Sequence, residues 1–416
     1  MNDVKTTPST IIPIKDIKEN IKEIENSQED TNKNKKADSK LQQIEYYLNQ
    51  KYSMRFNSIL CRPEYKLIND NSDYKDMCEN SIYRELEHNG YKCHVNIIRT
   101  LLKSDFLIKF NPIKAYFEGL EPYHSIEPDY IAAIEKYVVV HEEDKERFGT
   151  QFKKFIVRCL ACTLNEVVNK QAFIIISPKQ NCGKSTFCRW LCPPALSNYM
   201  QENIGMDKDS QIALTENFII NMDELATLTK ADLEGLKSFM SKDVVKTRKP
   251  YDAKALPYKR VANFVGSTNN IEFLTDVTGS VRWLCFEIES INFDYTKNIP
   301  VDRFWAQALY LLKTGFKYQL TPEEIAQNEL ANTKYRQISI EEDLIQKKYS
   351  PGNIDDHNAF YSSTEILEEL RIAFPPLSKD LHSIRIGKAM QALGFTKLSK
   401  RENAGSRKGY YVNFNK

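Results

Sequence analysis

The sequence predicts an α/β architecture, with helices packed on the faces of a mostly parallel sheet, and three observations predict it. The apolar run Phe173-Ile174-Ile175-Ile176 has the β-branched character of a buried strand. It passes through a glycine-containing loop, Pro178 to Thr186, into the helix-like Phe187-Cys188-Arg189-Trp190-Leu191. Further short apolar runs, Phe218 to Met222, Val261 to Gly266 and Trp283 to Ile288, recur downstream with helical stretches between them, so that a sheet covered on both faces is expected.

With 416 residues, 41% hydrophobic and 27% charged, the chain has room for two or three domains and an ordinary globular composition. Its net charge of +2 leaves any nucleic-acid contact to local patches. Nine scattered cysteines and a polar N-terminus without a secretory signal predict free thiols and a cytoplasmic location. No apolar run reaches the roughly 18 residues of a membrane span. Cys159 and Cys162 form a CxxC pair, but it falls in a helix-like run and no second pair completes a zinc set. These two read as core thiols, as do Cys188 and Cys192.

Taken in order, residues 1–40 are charged, polar and free of aromatics, which predicts a disordered tail. Ile14, Ile17, Ile21 and Ile24 share a helical face within it, open to a docking helix or to a transient one. Residues 41–150 read as a mainly helical accessory domain, with helices over 41–48, 81–86 and 95–102 and a break at Asn111-Pro112 before 113–120. The α/β core is expected over 151–300. A helical subdomain follows over 301–350, where Thr321-Pro322-Glu323-Glu324 has the form of a capping box with proline at the first helical position. Residues 355–416 form a small C-terminal unit.

The chemistry begins at the glycine loop. A strand, a loop ending in Gly183-Lys184-Ser185 and a helix are the context of a nucleotide phosphate loop, although Pro178 stands where the usual pattern has its first glycine. Backbone N–H groups of Asn181, Cys182, Gly183, Lys184, Ser185 and Thr186 would surround the phosphates of ATP, Lys184 would reach the β- and γ-phosphates, and Ser185 would ligate Mg²⁺. The second strand ends in Asp223-Glu224: Asp223 is placed to hold the metal and Glu224 to orient or deprotonate the attacking water. The third strand delivers Asn269, either a γ-phosphate sensor or ordinary turn chemistry. Arg282, just before the fourth strand, is either a trans-acting finger on a neighbouring subunit's γ-phosphate or a surface ion pair.

Between the second and third strands, Lys242 to Arg260 carries seven Lys or Arg against two Asp, with Tyr251 and Tyr258 interleaved. Cations for phosphates and rings for bases suit single-stranded DNA; Lys246, Arg248, Lys249, Tyr251, Lys254, Lys259 and Arg260 are the candidate contacts, and a solvated charged face is the alternative.

The order of phosphate loop, Asp-Glu strand, basic hairpin, strand ending in Thr268-Asn269 and Asp276-x-x-Gly279-x-x-Arg282 resembles the superfamily 3 helicase core. More narrowly it resembles the virulence-associated protein E family of phage, plasmid and genomic-island proteins, with Leu236 to Ser241, Arg248-Lys249-Pro250-Tyr251, Gly266 to Asn269 and Phe273 to Gly279 carrying the likeness. The resemblance implies a P-loop, AAA+-like ATPase that assembles as a ring, as a hexamer, and moves on single-stranded DNA. It assigns Gly183 to Thr186 to Walker A, Asp223 and Glu224 to Walker B, Asn269 to sensor 1 and Arg282 to the finger. Members often carry two arginines where this chain has Val281-Arg282, and Asn221 interrupts the apolar Walker B strand.

Independently, Ser362 to Leu370 and Ser383 to Phe395 resemble two helices of a winged helix, with Lys397 to Lys408 as a basic wing. Lys400, Arg401, Arg407 and Lys408 would meet duplex or origin DNA, or the unit would bind protein instead. The expectation is an ATP-dependent DNA helicase or replication initiator of a mobile genetic element, working with a separate primase because no polymerase site is visible in residues 1–150. The alternative is a nucleotide-dependent DNA-binding or phage-interference protein that assembles without unwinding.

Overall fold

The computed structural model describes residues 39–415 apart from 206, 250–253, 275–279 and 403–404. The expected tail, with Ile14, Ile17, Ile21 and Ile24, lies outside the described residues. The chain is a mixed α/β protein that divides between Phe110 and Asn111 into two compact units.

The first unit opens with α1 (Lys40–Lys51), started by a capping box in which Ser39 Oγ accepts from Gln42 N and Gln42 Oε1 accepts from Ser39 N. Then come β1 (Tyr52–Asn57), β2 (Arg62–Leu67), β3 (Lys75–Asp76), α2 (Glu79–His88), α3 (Val95–Leu102) and β4 (Lys109–Phe110), with the strands ordered β3-β2-β1-β4. This corrects the expectation of a mainly helical domain. The helices lie where periodicity puts them, but the strands were hidden by charge within them. Arg55 and Glu64 face each other across β1 and β2 with Nε 2.8 Å from Oε2, and the Arg55 guanidinium lies 3.8 Å from the Tyr74 ring centroid. Paired across a ladder and stacked on a ring, such a charge suits a sheet, whereas in sequence alone it breaks the alternation.

The second unit starts near Asn111, not near residue 150. Asn111 Oδ1 accepts from Lys114 N and Pro112 takes the first position of α4 (Pro112–Glu118). Phe117 of this helix packs edge-on against Phe218 and Trp305, which makes α4 part of the core. α5 (Tyr130–Ala133) and β5 (Val138–Val140) lead into α6 (Lys145–Thr163), then β6 (Ala172–Ile176) and α7 (Lys184–Trp190). β7 (Met200–Glu202), α8 (Lys208–Glu216), β8 (Ile219–Met222), α9 (Lys230–Ser241), the hairpin β9 (Val244–Thr247) and β10 (Leu256–Lys259), β11 (Asn263–Thr268) and β12 (Trp283–Ile291) follow.

Six of these strands form one sheet in the order β5-β12-β6-β11-β8-β7. The central pairs are parallel and in register, Trp283 and Phe264 both opposite Ala172, Glu287 and Thr268 both opposite Ile176. The C-terminal ends of β6, β11 and β8 therefore emerge along one edge. β6 is buried throughout, as a strand covered on both faces must be. On one face Phe152 and Phe155 of α6 place their ring centroids 5.2 and 5.4 Å from that of Phe173, and truncating Phe173 to Ala would cost about 3–5 kcal/mol. At the far edge of the sheet Asn263 Nδ2 donates to Cys159 O at 3.1 Å and Asn169 Nδ2 donates to Asn263 Oδ1 at 3.0 Å, a buried amide network that fastens α6 to β11. Cys159 is buried here, and burial pushes its thiol up.

After α10 (Tyr295–Asn298), α11 (Val301–Lys313), α12 (Pro322–Asn332) and α13 (Ile340–Lys348) occupy the stretch expected as a helical subdomain. They are not separate from their neighbours. Trp305 Nε1 of α11 donates to Leu191 O at 3.0 Å, and Asn328 and Asn332 of α12 both donate to Trp283 O at 2.8 Å. Amphipathic helices need an apolar partner, and the core sheet supplies it. The capping box at Thr321 forms, with Glu324 Oε2 accepting from Thr321 N at 2.8 Å.

Leu344 and Ile345 of α13 instead join the C-terminal cluster of Ile366, Leu370, Ile386, Met390, Tyr410 and Val412. That region comprises β13 (Tyr349–Pro351), β14 (Ala359–Tyr361), α14 (Ser363–Ala373), α15 (Ser383–Ala392), β15 (Lys397–Glu402) and β16 (Gly405–Phe414). β16 pairs with β13, β14 and β15. Among the described residues no helix is long and apolar enough to cross a membrane.

Candidate functional site

The common C-terminal edge of β6, β8 and β11 holds a cleft of ≈ 390 Å³ lined by Gln180 to Thr186, Arg189, Asp223, Glu224, Ser267, Thr268 and Asn269. Open α/β sheets bind ligands at this edge. β6 ends as Ser177 N donates to Thr268 O at 3.2 Å. Pro178, the departure from the glycine pattern, follows outside the ladder, where its missing N–H leaves nothing unpaired. The loop then turns through two left-handed residues, Asn181 at φ 55° and Gly183 at φ 92°. Asn tolerates that region, and Gly183 is required there twice over, because a Cβ would stand 2.6 Å from Phe293 Cζ. Lys184 is only 6% exposed; its Nζ donates to Ser177 O at 3.1 Å and Lys179 O at 2.7 Å, so the loop is wrapped around its ammonium.

Opposite the loop, one carboxylate oxygen gathers the donors. Ser185 Oγ and Ser267 Oγ approach Asp223 Oδ1 at 2.7 and 2.5 Å, and Arg189 Nη2 stands 3.6 Å from Oδ2. Burial alone would raise the Asp223 carboxyl, but the two hydroxyls and the Arg189 charge outweigh it and hold the group below its ordinary value. A serine hydroxyl beside an ionised carboxylate is an oxygen set that fits a hard divalent cation, and Arg189 shows that the position already draws positive charge. Glu224, next in the chain, is exposed at φ 56° and opens a turn of 3₁₀ helix over Leu225–Thr227. A left-handed non-glycine at the rim of a cleft is a strained position of the kind found at functional sites. Asn269 is exposed at the end of β11.

Three residues had no role in the sequence analysis. Asn221 is fully buried in β8 and donates through Nδ2 to Glu202 Oε2 at 2.8 Å; Glu202 Oε1 accepts from Arg189 Nε at 2.7 Å. The amide nitrogen of this polar interruption thus has a partner: Asn221 holds Glu202, which in turn pairs with Arg189 beside Asp223, while Asn221 Oδ1 is buried without one among the described residues. Ser267 was placed on the third strand but given no part in the site. Arg189 was within reach, because it lies four residues after Ser185 on the same helix face.

Arg282 is not in this cleft. It ends a 3₁₀ turn before β12, and Trp283 opposes Ala172, the first residue of β6, so the length of β6, about 13–16 Å, separates it from the loop. Its Nε donates to Ser241 Oγ at 3.2 Å. Asp276, Thr278 and Gly279 of the motif preceding it lie outside the described residues.

The model of the virulence-associated protein E-like domain matches residues 126–337, a stretch that contains the loop, Asp223, the hairpin and Arg282. The chain belongs to the virulence-associated protein E-like family. Among solved structures it is similar to the apo structure of the NrS-1 C-terminal region, at 12% identity and a TM-score of 0.42 over 91% of this chain and 100% of that one. Two A-form apo structures of the same region give 12% and 14% identity with TM-scores of 0.40 and 0.41, covering 86% and 90% of this chain and 88% and 100% of theirs. No curated protein matches the chain.

Within the stretch matched by the family, the basic hairpin divides into two kinds of residue. Lys246, Arg248, Lys254 and Lys259 are exposed, and Tyr251 lies outside the described residues. Lys249 and Arg260 are corrections, for each is 2% exposed. Lys249 Nζ lies 3.2 Å from Glu216 Oε1 and 4.7 Å from the Tyr258 ring centroid. Arg260 Nη1 donates to Phe239 O and Met240 O at 3.0 and 2.8 Å, and Nη2 to Asn169 O, so it satisfies the carbonyls that end α9. Spacing alone could not separate a cation that caps a helix from one that faces solvent.

Beyond the family stretch, β15 and β16 set Lys400 opposite Arg407. Lys400, Arg401 and Lys408 are exposed, whereas Arg407 is half-buried, ion-paired with Glu365 and 5.8 Å from the Phe360 ring centroid.

Proposed function

We propose that this chain is an ATP-dependent DNA helicase or replication initiator of a mobile genetic element, with a P-loop, AAA+-like core of the superfamily 3 kind. The observation that carries the reading is the convergence of Ser185 and Ser267 on Asp223 beside the wrapped loop of Lys184. Loop N–H groups and Lys184 would hold the β- and γ-phosphates of ATP, with Ser185 and Asp223 as ligands of Mg²⁺. Bound Mg²⁺ would supply neutralisation of phosphate charge. Glu224 would orient and deprotonate the water that attacks the γ-phosphorus, and Asn269 would hydrogen-bond that phosphate or the water.

Arg282, placed at the far edge of the sheet, would serve the cleft of a neighbouring subunit, which requires a ring, as in a hexamer. The exposed cations of the β9–β10 hairpin would track single-stranded DNA, and α14, α15 and the β15–β16 hairpin would act as a winged helix on duplex or origin DNA. Priming would fall to a separate primase. A second reading, a nucleotide-dependent DNA-binding or interference assembly that does not unwind, shares every one of these residues.

Strand displacement on a forked DNA with ATP and Mg²⁺ separates the two readings. ATP-dependent displacement by wild type, lost in Glu224→Gln, is the expected result. ATP hydrolysis on DNA without displacement would overturn the helicase reading in favour of the second.

A further inference from the structure

Phe293 is an apolar ring left 48% exposed beside a polar cleft. It follows β12, and its backbone is pinned: Phe293 O accepts from Thr296 N and Thr296 Oγ1 at 3.1 and 2.9 Å, while the preceding Asn292 N donates to Tyr137 O at 2.8 Å. The ring bears on the glycine loop so closely that a Cβ on Gly183 would meet Cζ at 2.6 Å and Cε1 at 2.9 Å. A ring held this way, over the loop and open to solvent, has an uncovered face.

Sheet order says what belongs there. β6 stands between β12 and β11, and Asp223, Ser267 and Asn269 all lie on the β11 and β8 side of the loop. A nucleoside triphosphate whose γ-phosphate lies toward Asp223 must run its α-phosphate, ribose and base away from that side. Phe293 lies on the other side, at the end of β12. We propose that Phe293 is the platform on which the base of the bound nucleotide stacks, so that it positions the base and takes no part in phosphoryl chemistry. This rests on the nucleotide reading above. Because every base has a π-face, stacking alone favours purines by area and leaves the exact base weakly specified.

The test compares Mg²⁺-ATP with inorganic tripolyphosphate, which has the phosphates and no base, by titration calorimetry on the full chain. Phe293→Ala is expected to weaken ATP binding about tenfold, the scale of one base stacked on an aromatic side chain, and to leave tripolyphosphate binding unchanged. Phe293→Trp is expected to restore ATP affinity, and its fluorescence to change with ATP but not with tripolyphosphate. Equal loss of both ligands in Phe293→Ala would show that the ring merely props the loop and would overturn the assignment, as would unchanged ATP affinity. Wild-type protein that binds tripolyphosphate as tightly as ATP would overturn the platform alone; wild type that binds neither would overturn the nucleotide reading itself.

Discussion

Arg189 Nη2 stands 3.6 Å from Asp223 Oδ2 while Arg189 Nε holds Glu202, so the acid proposed to ligate metal is already flanked by an aimed positive charge. Asp223→Asn removes the charge that Arg189 Nη2 and the proposed metal answer to. Phosphate release should fall at least about 100-fold, the scale of losing one electrostatic contact to a developing charge. The melting temperature should move by only a few degrees, because the serine hydroxyls keep an amide oxygen as acceptor. Turnover that survives would remove Asp223 from the chemistry.

The hairpin cations should separate by role. Lys246, Lys254 and Lys259 changed together to Ala should weaken single-stranded DNA binding and lower the slope of log affinity against log salt by about 2, from roughly 0.7 per phosphate contact. Arg260→Ala should leave that slope alone and destabilise the fold by about 3 kcal/mol, since three carbonyls lose a buried cationic donor. Filter binding across a salt series and chemical denaturation read the two effects apart.

Arg282 offers a test across subunits. Lys184→Ala lacks a working cleft but keeps its arginine; Arg282→Ala lacks the arginine but keeps its cleft. Each alone should be inactive in ATP hydrolysis, and the mixture should regain turnover. A mixture no more active than its components would contradict a role across an interface.

Asp144 gives a pH prediction. Burial would raise its pKa, but Arg147 Nη2 at 2.8 Å and Lys334 Nζ at 3.0 Å outweigh burial and lower it from the ordinary 3.8. A folded pKa below the unfolded one means stabilisation that is complete above that ordinary value and lost as pH falls through the folded pKa. Asp144→Asn should therefore be less stable than wild type by about 3 kcal/mol at pH 7, with the gap closing below about pH 4 in denaturation curves measured along a pH series.

Much of this molecule is legible in the chain, and the illegible parts share a cause. The core strands and the loop announce themselves because β6 is buried on both faces and its residues are uniformly apolar. Ser185 could be matched because it follows the loop's Gly-Lys at the start of a helix, and Asp223 because it ends a second apolar strand. What sequence hides is a charge whose partner is remote in sequence. Lys249 against Glu216 and Arg260 on the end of α9 read as DNA contacts or a solvated face until the fold supplies a carboxylate, a ring or a carbonyl. Asn221 is the same case among neutral groups, unaccountable in a strand until Glu202 is seen beside it.

The central claim is that the Lys184, Ser185 and Asp223 cleft hydrolyses ATP, and the most direct measurement is steady-state phosphate release by the purified chain with Mg²⁺-ATP and single-stranded DNA. Wild type should turn over ATP, and Lys184→Ala, which removes the ammonium at the centre of the loop, should fall to background while keeping a cooperative melt. A Lys184→Ala protein with wild-type turnover would contradict the account.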